Sequence, residues 1–172
     1  MTVMEYLKSQ DCAYRVTEHE PVYTAEQLAT IEHIPPRKVA KPVIVRVGGK
    51  YYVCVLSADR RIDLYAIQKR LKARNVRLAS EHEMANLFGD SDLGAETPIG
   101  TMYGLPTLMD KKLTKDKEMV FQAGTHEQTV WMSMEEFIKL ANPTIFSFSY
   151  PEAYDELESM PFDPFYDGFY GI

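Results

Sequence analysis

Three short segments of this 172-residue chain contain residue types that could do chemistry. Lys41 directly precedes a β-branched run, so its ammonium group could stand at the mouth of a pocket and bind a phosphate as a point charge. Residues 94–100 read GAETPIG, in which glycine lets backbone N–H groups approach a ligand and proline fixes the loop. Such N–H groups can bind a carbonyl oxygen or an oxyanion. His126 lies next but one to a glycine between two predicted strands, where an imidazole could line a site.

Each of these features also has a simpler interpretation. A lysine that ends a short helix interacts favourably with the helix dipole. A G-x-x-x-P loop is by itself a weak pattern, and an isolated histidine in a turn needs no function. Taken singly, the three features leave both interpretations open.

Several common signatures of catalytic and binding sites are missing from the sequence. It contains no G-x-G-x-x-G, G-x-x-x-x-G-K-[ST], H-E-x-x-H, C-x-x-C or G-x-S-x-G, which are the usual patterns of dinucleotide, phosphate and zinc sites and of a serine nucleophile. The four histidines lie far apart, and we predict neither a metal nor a cofactor. Cys54 lies in an apolar run and is expected to be an inert packed thiol. Two cysteines fit a reducing cytoplasm, and no apolar run is long enough for a membrane span.

Charge is distributed unevenly along the chain. The net charge is −6, yet residues 37–77 contain twelve basic and two acidic side chains, and residues 151–172 contain six acidic and no basic ones. Because local fields steer ligands more than net charge does, the basic segment could bind a nucleic acid. The alternative is that its side chains are scattered over several solvated faces.

Capping patterns and one hairpin predict the elements that position these segments. Helix starts are predicted at Thr2–Glu5, Thr24–Gln27, Ser80–Glu83 and Ser133–Glu136. Asp59 is expected to cap a further helix that contains Leu64, Ile67 and Leu71. The glycine pair 48–49 predicts a β-hairpin of residues 42–47 and 50–56. Further strands are predicted at 13–16, 107–110, 119–123, 129–132 and 145–150, which together favour a mixed α+β fold.

The C-terminal segment differs in composition from the rest of the chain. We divide the chain into a domain of residues 1–142 and an acidic, aromatic extension of residues 143–172. The extension is too aromatic for an ordinary disordered tail. It is expected to pack on its own domain or on a partner protein.

In order and spacing, the chemical segments resemble the YbaK/prolyl-tRNA-synthetase-associated domain family, the stand-alone relatives of the editing insertion in prolyl-tRNA synthetase. The resemblance covers about residues 1–142. It is carried by residues 34–41, 55–64, 78–81, 87–89, 94–98, 103–106 and 123–126. The resemblance implies an α+β fold with a mixed, partly barrel-like β-sheet surrounded by helices.

The resemblance also implies residue roles. Lys41 matches the family's functional lysine, placed near the phosphate of the terminal adenosine. Gly94 and Pro98 match its G-x-x-x-P loop, whose backbone holds the carbonyl or amino end of the substrate, and His126 joins them in a region where members vary. Thr97 stands where many relatives have proline. The further substrate-binding residues are expected to be Thr97, Gly100, Gly124 and Thr125, and the tRNA-binding residues Arg37, Lys38, Lys69, Arg70, Lys72 and Arg74.

Known members hydrolyse the ester of a wrong amino acid on a tRNA. The chain is therefore expected to be a trans-editing aminoacyl-tRNA deacylase, acting on tRNA for proline that carries a small wrong amino acid. Since an aminoacyl ester is already activated, hydrolysis needs a positioned water and oxyanion donors but no nucleophile triad. The alternative is a non-catalytic tRNA- or protein-binding module of the same fold.

Overall fold

The computed structural model describes residues 1–152. Within this range the chain forms five α-helices and ten β-strands. The helices are α1 Val3–Ser9, α2 Ala25–Ile31, α3 Leu64–Leu71, α4 Glu81–Leu87 and α5 Met134–Ala141. The strands are β1 Arg15–Glu18, β2 Ala40–Val47, β3 Lys50–Ser57, β4 Arg60–Ile62, β5 Val76–Leu78, β6 Thr107–Asp110, β7 Glu118–Gln122, β8 Gln128–Ser133, β9 Thr144–Phe146 and β10 Ser149–Pro151. No helix among the described residues is long and apolar enough to cross a membrane.

Side-chain caps start the helices where the sequence predicts them, with one exception. Thr2 and Ser80 form reciprocal capping boxes with Glu5 and Glu83. The prediction that Asp59 caps α3 is wrong, because Asp59 lies in the turn between β3 and β4. Asp63 is the cap, and its carboxylate accepts from the Ala66 amide at 3.2 Å. An aspartate directly before the first helical residue is the better placed acceptor for the unpaired amides of the first turn.

The largest sheet has five strands in the order β5-β2-β3-β6-β9. Its centre is the predicted β2–β3 hairpin, in which Lys41 pairs with Leu56 and Val47 with Lys50. β6 joins β3 in parallel, and β9 joins β6 in parallel. Side chains alternate between two faces of a strand, so each face of this sheet supports its own apolar cluster. Ile44, Val53 and Val55 pack with α1 and α5, whereas Val45, Cys54 and Leu56 pack with α3.

Two smaller sheets complete the β-structure of the described residues. One has the order β1-β8-β7, and the other pairs β10 with β4. An isolated parallel bridge between Val39 and Val120 links the start of β2 to β7. The mixed α+β class is confirmed, and within residues 1–152 the strands form separate sheets that do not close into a barrel.

The chain beyond residue 142 continues to pack on the preceding residues up to the end of the described range. Phe148 is buried at 1% exposure, and its amide donates to the Asp110 carboxylate at 2.9 Å. Ser149 donates to the other oxygen of that carboxylate at 2.6 Å. The buried Asp110 charge is thus satisfied by the extension itself. The acidic residues after 152, on which the tail prediction mainly depends, lie outside the described residues.

The β2–β3 hairpin gives the five-stranded sheet two distinct ends. The Lys41 end comprises the start of β2, the β3–β4 turn and the end of β6. The Gly48 end comprises the hairpin tip and β5, which begins opposite Val47. Lys41 and Val47 are six positions apart along β2, a span of about 20 Å at the usual rise of a strand.

Candidate active site

A cavity of about 190 Å³ lies at the Lys41 end. The start of α2, the start of β2 and the glycine loop form its walls. The lining residues are Tyr23, Thr24, Ala25, Glu26, Leu28, Val39, Ala40, Lys41, Pro42, Gly94, Glu96 and Gln122. The structure therefore brings Lys41 and Gly94 together, although 53 positions separate them in the sequence.

Lys41 is partly buried, and its ammonium group donates to the Ala58 carbonyl oxygen at 3.2 Å. Burial lowers the pKa of Lys41 from its ordinary value because desolvation disfavours the charged form, while nearby Glu26 opposes this effect. An ammonium group has three donors, and Ala58 takes one of them. Lys41 can therefore present a positive charge and further donors to a ligand in the cavity.

The glycine loop approaches the cavity through backbone that suits glycine. Gly94 has φ +88°, a left-handed conformation that other residues adopt only with strain. Its amide donates to the Glu96 carboxylate, with both oxygens at 3.0–3.1 Å. The Ala95 amide donates to the Asp92 carbonyl at 2.9 Å. The first two amides of the predicted oxyanion loop therefore already have acceptors, the Glu96 carboxylate and the Asp92 carbonyl.

His126 lies beside Gly94 and Tyr23, which line the cavity, but it is not itself a lining residue. Its Cε1 atom lies 3.8 Å from the point that a Cβ on Gly94 would occupy, and its ring meets the Tyr23 ring at 4.7 Å between centroids. His126 Nδ1 lies 3.0 Å from the Val22 carbonyl oxygen. Because a carbonyl only accepts, this contact assigns the proton of a neutral imidazole to Nδ1 and leaves the Nε2 lone pair as an acceptor.

Gly124 ties the histidine turn to the glycine loop. It accepts from the Asp92 amide at 2.8 Å and donates to the Ala95 carbonyl at 3.0 Å. With φ +87° and a would-be Cβ only 3.1 Å from Val3 and 3.2 Å from Ser91, a side chain at this position would be strained and would press on both neighbours. Gly124 thereby sets the distance between His126 and the loop.

Comparison with known proteins decides the family. Residues 19–140 match the aminoacyl-tRNA editing domain family, and this match includes Lys41, the glycine loop and His126. It covers more than half of the chain.

The chain belongs to the aminoacyl-tRNA editing domain family.

Relatives of this editing domain include stand-alone proteins. The chain is 26% identical over 133 residues to the prolyl-tRNA editing protein ProX of Acetoanaerobium sticklandii. The aligned region covers 74% of this chain and 80% of the relative. The chain is 25% identical over 147 residues to the multifunctional Ser/Thr-tRNA deacylase ProXp-y of Escherichia coli, with 83% and 87% covered. The predictions of the family and of its class, an editing hydrolase, are confirmed.

Solved structures share the fold. A crystal structure of hypothetical protein APE2540 superposes with a TM-score of 0.78 at 20% identity and covers 86% of this chain and 99% of its own. A candidate trans-editing enzyme for prolyl tRNA synthetase superposes with a TM-score of 0.72, also at 20% identity, with 80% and 87% covered. At this identity the two structures support the fold of the editing domain alone.

The other predicted site residues take different positions in the editing domain. Thr97 and Pro98 are buried residues of the loop that do not line the cavity, and the hydroxyl oxygens of Thr97 and Thr125 have no hydrogen-bond partner among the described residues. Gly100 does not line the cavity. A Cβ at this position would collide with Thr107 Oγ1 and lie 2.7 Å from the Leu105 carbonyl, so packing alone requires glycine there.

The six predicted tRNA-binding residues separate into two groups. Arg37 and Lys38 lie at the Lys41 end, just before β2. The other four lie in or just after the last turn of α3, from which the chain enters β5 at the Gly48 end, although the Arg70 guanidinium stacks over Phe146 beside the end of β6. The second group is Lys69, Arg70, Lys72 and Arg74. The predicted tRNA-binding residues are therefore divided between the segment before β2 and the end of α3 rather than gathered into one patch.

Sequence reasoning missed three lining residues with carboxylate or amide side chains and one basic group. These three are Glu26, Glu96 and Gln122. Only Glu96 could have been found from sequence, because it is an acidic residue inside the predicted G-x-x-x-P loop. The basic group consists of Lys112 and Lys115 after β6, both exposed. The pKa of Lys112 lies below its ordinary value because the Lys115 ammonium and then the Arg60 guanidinium are close.

Within the described residues, no group of three or more His, Cys, Asp and Glu side chains could hold a metal ion. Cys54 is fully buried, and burial raises the pKa of its thiol. A thiol in such surroundings is a packing group rather than a nucleophile.

Proposed function

We propose that this editing domain hydrolyses, in trans, the ester that joins a small wrong amino acid to a tRNA in the cytoplasm, with tRNA for proline as the first candidate. The observation that carries the proposal is that Lys41 and Gly94 line one small cavity, with His126 next to Gly94. Family membership supports the reaction class. The names of ProX and ProXp-y point to prolyl-tRNA editing and to seryl- and threonyl-tRNA deacylation in those relatives.

In the proposed hydrolysis, Lys41, His126 and the cavity each have a separate role. Lys41 holds a phosphate of the terminal nucleotide as a point charge. His126 Nε2 accepts a hydrogen bond from the attacking water, with its ring fixed by the Val22 carbonyl. The ester needs no covalent intermediate, since orientation of water supplies much of the rate. Selectivity for a small amino acid follows from the small volume of the cavity. A hydrophobic pocket discriminates between side chains by only about 1–3 kcal/mol per methylene.

The acceptor stem is held by basic side chains at the Lys41 end. Arg37 and Lys38 precede the site, and Arg37 reaches Asp116 at 3.5 Å, which brings the segment with Lys112 and Lys115 beside it. Arg60 lies near this group, but its guanidinium is largely buried and donates to Ser149, so Lys112 and Lys115 present the exposed charges. The predicted group at the end of α3 contacts tRNA farther from the ester.

Deacylation of a panel of mischarged tRNAs tests the proposal. The panel comprises alanyl-, cysteinyl-, seryl- and threonyl-tRNA for proline, with correctly charged prolyl-tRNA as the reference. We expect rapid hydrolysis of at least one wrong ester, sparing of prolyl-tRNA, and a loss of about a hundredfold or more in Lys41→Ala. Lys50→Ala is the matched control, because Lys50 is an exposed lysine at the Gly48 end.

Two outcomes contradict the proposal. Hydrolysis that is unaffected by Lys41→Ala keeps the activity but removes this site. No hydrolysis of any ester leaves the non-catalytic binding module as the function, with the acidic tail as its candidate contact to a partner protein. That tail lies beyond the residues described here.

A further inference from the structure

Glu96 is a buried carboxylate that lines the cavity. Its exposed fraction is 6%, and the Gly94 amide is the hydrogen-bond donor that it contacts. Among residues 1–152, no lysine, arginine or histidine nitrogen lies within 4.0 Å of this carboxylate. Glu96 also borders a second cavity beside α4, so the glycine loop lies between the two cavities.

A buried carboxylate with a single neutral donor is costly to the fold. Two oxygens offer about four acceptor sites, and burial of an ion is offset only by hydrogen bonds and an opposite charge. Glu26 also lines this cavity, but it is exposed and already lies close enough to Lys41 to influence that ammonium. Glu96 is therefore the lining carboxylate whose counter-charge is missing from the described residues.

We infer that the Glu96 carboxylate binds the α-ammonium group of the aminoacyl ester. This inference depends on the proposed function and names the group by which the site recognises its substrate. Lys41 and Glu96 place opposite charges on the walls of one cavity. A substrate with a phosphate at one end and an ammonium group at the other binds in one direction only, with its ester bond between the two and beside His126.

Two esters of the same tRNA isolate the ammonium contact. One carries the amino acid, and the other carries the α-hydroxy acid in which a hydroxyl replaces the ammonium group. Glu96→Gln keeps an oxygen acceptor for the Gly94 amide but removes the charge. We expect kcat/KM of Glu96→Gln to fall about ten- to a hundredfold on the aminoacyl ester, the usual value of a charged hydrogen bond, and less than about twofold on the hydroxyacyl ester.

Glu127→Gln is the matched control, because Glu127 is exposed on the same turn as His126 and does not line the cavity. Equal losses on both esters in Glu96→Gln, or no loss on either, overturn the inference and leave the deacylase intact. A wild-type protein that hydrolyses neither ester overturns the proposed function and the inference together.

A wild-type measurement decides the question if Glu96→Gln lowers the melting temperature. The α-amino group of an aminoacyl ester loses its proton at or below the usual α-amino range of about 7.7–8.0. We expect wild-type kcat/KM for the aminoacyl ester to fall as pH rises through this pKa, while the hydroxyacyl ester shows no such fall. Parallel profiles of the two esters contradict an ammonium contact.

Discussion

The two ends of the five-stranded sheet treat their charged residues in opposite ways. At the Gly48 end, the Glu83 carboxylate accepts from Arg77 at 2.7 Å, from Arg46 at 3.0 Å, from the Ser80 amide at 2.9 Å and from the Tyr51 hydroxyl. These donors, Arg77 first, hold the pKa of Glu83 well below its usual range. Every charge of this cluster is used to join α4, β2, β3 and β5.

At the Lys41 end, two charged side chains that line the cavity have fewer partners within the described residues. Lys41 donates to one carbonyl oxygen, and Glu96 accepts from one amide. Glu96 is buried and Lys41 is partly buried, whereas Arg77 is exposed, so leaving the Lys41 and Glu96 charges without a full set of partners is costly. The comparison teaches that a saturated ionic cluster holds elements together, whereas buried charges with spare capacity mark the place where a ligand completes them.

Gly94→Ala and Gly48→Ala give the largest expected contrast between the two ends. Both glycines have positive φ, +88° and +60°, so alanine costs each variant about 1–2 kcal/mol of folding free energy. A displaced catalytic group costs about a hundredfold in rate. We expect that loss of kcat/KM in Gly94→Ala and full activity in Gly48→Ala, measured together with urea unfolding. Equal activity of the two variants contradicts a positioning role for Gly94.

Charge reversal of two lysine pairs gives the next largest contrast. Lys112→Glu/Lys115→Glu alters the Lys41 end, and Lys69→Glu/Lys72→Glu alters the end of α3. We expect the first pair to lower kcat/KM on tRNA about tenfold and to reduce the slope of log affinity against log salt by about one for each lost phosphate contact. The second pair is expected to have the smaller effect. A larger effect of the α3 pair shows that the acceptor stem crosses the Gly48 end.

The pH dependence of Lys41 gives the smallest effect. Its folded-state pKa is lowered by burial, so the ammonium loses its charge at a lower pH than an exposed lysine does. With the hydroxyacyl ester, after subtraction of the uncatalysed rate, we expect activity to fall with rising pH below the ordinary lysine range. Lys41→Arg should move this fall upward, because a guanidinium stays protonated in proteins. An unchanged profile in Lys41→Arg assigns the fall to another group.

Much of the local structure could be predicted from sequence because its causes are local. The Gly-Gly hairpin and the capping boxes at Thr2 and Ser80 depend on residues within four positions of one another. The error at Asp59 was of the same kind, since two aspartates four residues apart offered alternative caps and β4 used the intervening residues. The predicted strand over residues 145–150 is divided into β9 and β10 because Phe148 turns inward and its amide bonds to Asp110.

The sequence by itself determined the family, the hairpin that holds Lys41 and the loop that carries Gly94, because each is written in contiguous residues. Only the tertiary structure decided which charged side chains are paired with other residues and which remain available to a ligand. It paired Arg46 and Arg77 with Glu83, sent Lys69 and Lys72 to the far end of the sheet, and placed Glu96 in the wall of the Lys41 cavity. These outcomes depend on contacts between segments far apart in the chain, and burial and pairing set the energy of a charge more strongly than its position in the sequence does.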